Sequence, residues 1–517
     1  MSLFLFAFSQ FGAAGLVSAS RIESLLRMGA ADDSLAEFDL LTDNCASSRD
    51  GIRFPPAEPS RRGILGNDGI GFYQTGGIHT AQKIEKHRET KMKNILTGKN
   101  MSRRSVLKGT AAIAASTAVT GFPTVWAQTL KDVTLTHTGM SYSTIADIAR
   151  QASQDLGFKV EMSVVDHPGL TNRMVNDPKS IDIADMEIWQ SKIAIPQGVT
   201  QAVEIARIKN WADLTPLYTE GKFAGKEVSR QGDSPFEFMY RDAKDATTFA
   251  ASPTAWASFC PGVYNADTLG IRPDLVGREI TSWADLISPD FKGKAAIQNI
   301  PTIGIMDAIM AMEAAGFVTY GDKGNPTKDE LEKTIAKLIE LKKAGHFRAL
   351  WNTFDESVNL MAAGEVVIQS MWSPAVTAVQ GQGIKCTYQP LKEGYRGWGN
   401  GLGLMAHLEG IRLDAAYEYI NWYNAGWVGG FIAKQGYYSA NPKTAKANLT
   451  ENERGFFYEG KAATADITSP TGEKTNPAGA VRDGGSYEER FSKVGVWNNL
   501  MDEAEFLFAK WNEFNAA

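Results

Sequence analysis

Residues 101–128, MSRRSVLKGTAAIAASTAVTGFPTVWAQ, divide this chain more sharply than any other stretch. Arg103 and Arg104 stand side by side at its head. A weakly apolar run of Ala, Thr and Ser follows over 109–125, and Val125-Trp126-Ala127 closes it with small residues at both ends. A basic head, an apolar body and a small-residue exit, in that order, describe a bacterial export signal. The arginine pair and the modest hydrophobicity point to the twin-arginine route. A buried alanine-rich helix is the other reading, and it leaves the order of the three parts unexplained. The run falls short of the roughly 20 strongly apolar residues that a bilayer span requires. It is expected to be removed rather than to anchor, so the mature chain, from about Gln128, is expected in the periplasm, having folded before export as twin-arginine substrates do.

Residues 1–100 hold a short apolar start at 3–17, then basic and Gly-rich polar text with no sustained period and no motif. No packed domain is expected there. The stretch reads either as a non-native extension upstream of a start at Met92 or Met101, or as a disordered leader. The remaining chain, roughly 390 residues, is long for a single core and predicts two lobes. A net charge of −6 argues against the basic face of a nucleic-acid binder. Most of the 12 tryptophans must be packed. Of the three cysteines only Cys260 and Cys386 follow the signal; with no CxxC and no Cys/His cluster, a structural zinc site is not expected. The pair reads as two buried thiols, with a disulfide formed late, after export, as the alternative.

Periodicity gives an α/β order. Residues 133–137 alternate as a strand, 143–156 carry a helical stripe, and 158–164 and 181–184 are further strands. Ligands of open α/β sheets sit at the carboxyl ends of such strands. Residues 256–264 form an apolar strand interrupted by Pro261, which points to an edge or a crossing segment. Ser282 to Asp285 and Thr327 to Glu330 are capping-box starts. Helices are expected over 302–315 and 355–363, strands over 295–298, 365–372 and 384–390, an amphipathic stretch over 414–425 and a long terminal helix over 497–514. The Gly-rich text of 394–403 around Trp398 and Asn400 reads as a loop, and 436–442 as a turn.

Catalytic constellations are not evident. There is no GxxxxGK[ST] loop, no GxGxxG after a strand, no GxSxG elbow and no HExxH. His137, His167, His346 and His407 are scattered and read as polar or satisfied histidines. Asp185 and Glu187, two apart at a strand end, share a face, and Trp189 continues the spacing. They read either as a solvated loop or as an anion pair for a cationic ligand. For Glu187 a role as a helix cap is the competing reading.

Several stretches resemble a known family. They are ITSWADL at 280–286, SPDFKG at 288–293, AGEVVIQSMW at 363–372, KEG at 392–394, GY at 436–437 with NP at 441–442, and GVWN at 495–498. In this order they are similar to the periplasmic solute-binding proteins of ABC importers, and within them to the spermidine/putrescine-binding branch. The resemblance implies an α/β fold of type II: two discontinuous lobes, each a mixed sheet flanked by helices, joined by hinge strands. The lobes are expected over 129–258 with 398–442, and over 262–390 with 443–517. It also implies crossings near Cys260 and Cys386, which would bring the two cysteines onto neighbouring strands.

In that branch aromatic faces sandwich the solute and carboxylates hold its ammonium ends. Carried over, the aromatic positions fall on Trp189, Trp372, Trp398 and Tyr437, and the polar ones on Thr138, Glu187, Asn400 and Asn498. Asn400 stands where the branch has an amine-binding aspartate, the acidic pair expected near 299–303 is absent, and Glu187 is an added acid. The resemblance therefore implies a solute with one cationic end and a polar or anionic other end. It implies no cofactor, no bound metal and no catalysis, a monomer, and the permease subunits of an ABC transporter as partners. Two alternatives share the fold: a ferric-ion binder, suggested by Tyr437-Tyr438, and a periplasmic enzyme.

Overall fold

The computed structural model describes residues 130–517; the extension expected at 1–100 and the export signal at 101–127 lie outside the described residues. Strands β1 (Thr134–Gly139), β2 (Lys159–Val164) and β3 (Ile183–Glu187) are parallel, with β1 between the other two. Parallel neighbours need a crossover, and helices α1 (Ala146–Leu156) and α2 (His167–Asn176) supply it. Helix α1 buries Ile148 and Ala152 and stops at Gly157, whose φ of 74° is the left-handed conformation that ends helices. Helix α2 starts where the Asp166 carboxylate accepts from the Gly169 amide, with a proline in its first turn. Helix α3 (Ile188–Ala194) follows β3 without a loop.

Next come β4 (Thr200–Gln201), β5 (Cys260–Ile271), β6 (Ala295–Gln298), α4 (Pro301–Ala314), α5 (Lys328–Lys343), β7 (Phe347–Trp351), α6 (Phe354–Ala362), β8 (Ile368–Met371), α7 (Ser373–Gly381) and β9 (Thr387–Gln389). Then follow β10 (Tyr395–Met405), α8 (Gly410–Tyr423), α9 (Trp427–Lys434), β11 (Tyr438–Ser439), α10 (Glu451–Glu459), α11 (Tyr487–Phe491), β12 (Val494–Trp497) and α12 (Ala504–Ala516). The capping boxes read at Ser282 and Thr327 are both formed, the second opening α5.

The strands join in the order β7-β6-β8-β5-β10-β3-β1-β2. Strand β5 makes this ladder two-lobed. Its first part, from Cys260 to Asp267, pairs antiparallel with β10, and its last four residues, Thr268 to Ile271, pair with β8. One hydrophobic core gathers buried residues from 135–266 and 395–497. A second takes residues from 269–391 and 496–514, with a satellite beneath α6 and α7. The chain thus changes lobe in the middle of β5, not at Cys260.

Several expectations meet the structure here. Residues 443–494, expected with the second lobe, pack on the first core, because Phe456, Phe457, Tyr487 and Phe491 join Tyr264 and Tyr438 in one aromatic cluster. The terminal stretch 497–514 is a strand end, a connection and then α12. Pro261 lies on β5, the strand that crosses between the lobes, so its crossing reading holds and its edge reading does not. The pairing shifts register between Pro261 and Tyr264, and a bulge accepts a residue that lacks an N–H. Finally, Cys260 and Cys386 are free and buried in different cores: β5 and β9 do pair, but β9 meets the far end of β5, at Leu269 to Ile271, while Cys260 opens that strand, so the strands are neighbours and the two thiols are not.

The Gly-rich text of 394–403 is not a loop but the buried central strand β10. Its glycines alternate, so one face carries no side chains, and neighbours fill the space. A Cβ on Gly397 would meet Trp497 at 2.6 Å, and one on Gly401 would meet Phe259 at 2.1 Å. The other face carries Arg396 and Trp398.

Candidate functional site

The carboxyl ends of β1, β2 and β3, the middle of β5, the start of β10 and the first turns of α4, α6 and α7 surround a cavity of about 670 Å³. Of the residues assigned to a site from the sequence, Glu187, Trp372, Trp398, Tyr437 and Asn498 line it; Thr138, Trp189 and Asn400 do not.

One wall is aromatic. Trp398 lies 5.0 Å from Tyr142 and 5.7 Å from Tyr437, centroid to centroid, and the two tyrosines are 5.6 Å apart. Facing it from the second lobe is Trp372, edge-on to Trp351 at 5.1 Å and stacked at 6.5 Å beside Phe354. Ile300 and Ile303 extend this apolar side. Rings on opposing walls suit a flat or aliphatic solute that carries positive charge.

A line of polar side chains crosses between the walls. Glu187 is only 4% exposed. Its Oε2 accepts from the Trp189 indole at 2.7 Å and from Asn498 Nδ2 at 3.3 Å, and its Oε1 lies 3.5 Å from His167 Nε2. The Asn498 carbonyl accepts from Arg396 Nη1 at 2.8 Å. Arg396 also donates to Asp307 at 2.8 Å and to Asp267 at 3.3 Å. Both carboxylates are buried. Burial pushes Asp267 up to about 6, against the pull of Arg396 and the Tyr388 hydroxyl, and raises Asp307 as well. Burial opposes the charge on Arg396, but Asp307 and Asp267 outweigh it and hold the guanidinium above its ordinary range. Tyr142 is raised well above a free phenol, by burial first and then by the charges of Glu187 and Asp185, so it stays a neutral donor. One cation thus faces several acids, and a positive charge is the better match for this cavity.

The remaining site residues serve the cavity from behind it. Trp189 belongs to α3, so the period of the strand does not extend to it, and its N–H orients the Glu187 carboxylate instead. The helical reading of Glu187 holds too: it is the N-cap of α3, and Gln190 Oε1 accepts from its amide at 2.9 Å. Asn400 turns to the bulge in β5, where its Oδ1 accepts from the Val263 N–H at 2.6 Å. That bond fills a gap the ladder leaves open, which gives the residue a structural use. Thr138 is fully buried beneath the cavity. Tyr438 points away from Tyr437, its hydroxyl donating to the Phe457 carbonyl at 3.1 Å. Asp185 lies under the site, 3.7 Å from His137.

Sequence reading missed Tyr142, His167, Asp267, Arg396 and Phe354. Arg396 and Trp398 had a signal: they alternate with glycines, which marks one face of a strand. Asp267 had none, since a lone acid inside a strand looks like any other.

Residues 145–457 match the family described as bacterial extracellular solute-binding protein. The spermidine/putrescine-binding periplasmic protein of Escherichia coli (strain K12) is 27% identical over 238 residues, which are 45% of this chain and 62% of that protein. The match therefore spans less than two thirds of that relative's length. A crystal structure of a lipoprotein of Treponema pallidum superposes with a TM-score of 0.50 at 10% identity, covering 74% of this chain and 99% of that one. A spermidine/putrescine ABC transporter substrate-binding protein from Streptococcus pneumoniae gives a TM-score of 0.47 at 14% identity, over 74% and 99% of the two chains. The Treponema likeness is one of fold, the two-lobed architecture of β5 and β10. With the matched segment running from the first turn of the first lobe to α10, the chain belongs to the bacterial extracellular solute-binding protein family.

Proposed function

We propose that this protein captures a small organic solute with a cationic end, polyamine-like or zwitterionic, between its lobes and hands it to the membrane permease of an ABC importer. One observation carries the reading: a buried carboxylate, Glu187, is held open-ended in a cavity whose two walls are aromatic and come from different lobes. An ammonium placed there gains from the ring faces and from charge-assisted hydrogen bonds to the acid. In this reading the protein works outside the cytoplasmic membrane, reaches the periplasm by the twin-arginine route, acts as a monomer, and performs no chemistry on its solute. Glu187, Trp372, Trp398, Tyr437 and Asn498 meet the solute, with Tyr142 and Asp267 added. Trp189 positions Glu187, and Asn400 and Thr138 support the strands. The divergence of Tyr437 and Tyr438 counts against a ferric-ion site, which needs both phenols on one ion.

A thermal-shift screen against polyamines, amino acids, betaines and Fe(III) tests the reading. A specific solute stabilises by mass action, about 2.7 kcal/mol at a hundredfold excess over its dissociation constant. Amines are expected to raise the melting temperature and Fe(III) to leave it unchanged; the reverse pattern rejects the proposal.

A further inference from the structure

Behind the two aromatic walls lies a second, much smaller cavity of about 30 Å³, between α7 on one side and the segments around Gly436 and Arg482 on the other. Its volume is on the order of one water molecule's share of the liquid. It is close to both walls of the larger cavity: Ser373 follows Trp372, and Gly436 precedes Tyr437.

Two arginines line it, and both are buried: Arg490 is 0% exposed and Arg482 7%. Arg482 uses Nη2 on the Gly436 carbonyl at 2.8 Å, and Arg490 uses Nη2 on the Asp483 carbonyl. Among the described residues, no acceptor lies within hydrogen-bonding distance of Arg482 Nε, Arg490 Nε or Arg490 Nη1. Their ring neighbours do not fill that need. Arg482 stacks 5.0 Å from Tyr438 and 5.1 Å from Phe457, and Arg490 5.3 Å from Tyr388. A π-face attracts the cation but takes no hydrogen bond in the guanidinium plane.

Charge is unbalanced as well. Asp483 is the one carboxylate lining the cavity, and its Oδ2 already accepts from the Tyr388 amide at 2.9 Å and from Gln380 at 3.0 Å. Lys434, also in the lining, is paired with Glu453 at 2.9 Å. Two buried guanidinium groups therefore share a single acid. Burial, with the charge of Arg490 added to it, lowers the pKa of Arg482, whereas burial of Arg490 is outweighed by its surroundings, Asp483 among them, which hold it above its ordinary value; the shortage of counter-charge falls on Arg482. A buried charge without compensation and buried donors without acceptors are both strongly unfavourable.

We propose that Arg482 and Arg490 form a buried site for one small monovalent anion of chloride size. Such an ion supplies the missing negative charge and accepts from several in-plane N–H groups at once. A water carries no charge to balance the surplus and accepts fewer bonds. Phosphate or a carboxylate ligand is too large for the space. The bound ion would hold α7 of the second lobe against Gly436 and Arg482 of the first.

Melting curves of the full chain in sodium chloride, sodium bromide and sodium gluconate at equal ionic strength test the site. Chloride and bromide should give a saturable rise in melting temperature, on the order of a few degrees, that gluconate does not. The variant Arg482→Met should lose that difference. Because either arginine variant could fail to fold, crystals of the unmodified protein grown in bromide give an independent answer. An anomalous peak between the two guanidinium groups supports the site. Identical melting in all three salts, or an ordered water with no anomalous signal at that position, overturns it. Neither outcome depends on which solute the large cavity takes.

Discussion

Glu187 divides its oxygens between two tasks. Oε2 is fixed by Trp189 and Asn498, while Oε1 has only His167, at 3.5 Å, beside it. An incoming ammonium therefore meets an oriented acceptor that needs no rearrangement. Glu187→Gln keeps the shape and removes the charge, and it should weaken an amine solute found in the screen by roughly 2–5 kcal/mol. Titration calorimetry on both proteins reads this directly, and equal affinities would mean that no cation is held at this carboxylate. Asp267 adds a pH dependence. Burial raises it to about 6, so below that pH the cavity loses one negative charge. Affinity for an amine should rise with pH through about 6, by up to about tenfold per unit, and Asp267→Asn should flatten the profile. A dissociation constant that is constant from pH 5 to 7.5 would exclude the acid from the site. For folding the sign runs the other way. A carboxyl whose folded pKa is raised holds its proton more tightly than the unfolded chain does. Its contribution to stability is complete below the ordinary carboxylate range and is lost as pH rises through about 6.

Strand β10 does what its composition conceals. Glycine weakens an ordinary strand, yet here every second residue from Gly397 to Gly403 is a glycine whose missing side chain makes room for a neighbour. Gly401→Ala would drive a methyl group against Phe259, since a Cβ there lies 2.1 Å from the ring. Such overpacking costs about 1–3 kcal/mol, and a lower urea midpoint with an unchanged slope should report it. A midpoint equal to that of the unmodified protein would show that the two faces do not touch as described. The opposite face carries Arg396 and Trp398 into the cavity, so this strand is scaffold on one side and binding surface on the other. The end of β3 is a similar compromise: the residue that caps α3 is also the one that presents the carboxylate.

Between the lobes the chain is continuous through β5, and the lobes also touch away from that crossing, where α7 packs against residues 474–476 and the Gly232 amide donates to Asp322. Connections of this kind bend at a few residues, and a solute that touches both walls favours the closed arrangement by its differential affinity. Small-angle scattering with a saturating solute should give a smaller radius of gyration than without it. A profile that does not change on saturation rejects the clamp. Residues 443–494 ride with the first lobe, because their aromatic cluster is packed there. They should keep the same hydrogen-exchange protection in both states.

Local chemistry was enough to read much of the architecture. The α/β order, the capping boxes at Ser282 and Thr327, and the stripe of α5 follow from spacing and side-chain type, which act within a few residues. The cavity aromatics Trp372, Trp398 and Tyr437 were legible through the family resemblance, by the motifs around them rather than by spacing. What local chemistry does not contain is who lies opposite. The glycines of β10 read as a loop because their partners, Trp497, Tyr218 and Phe259, are distant in sequence. Asn400 read as a ligand contact because the bulge it fills is made by another strand. Asp267, Arg396 and Asp307 form one buried charge cluster from three separate elements, and only folding brings them within hydrogen-bond distance. Periodicity decides which face a residue is on; the tertiary structure decides what that face meets, because long-range packing and burial set both the charge of an acid and the use of a gap.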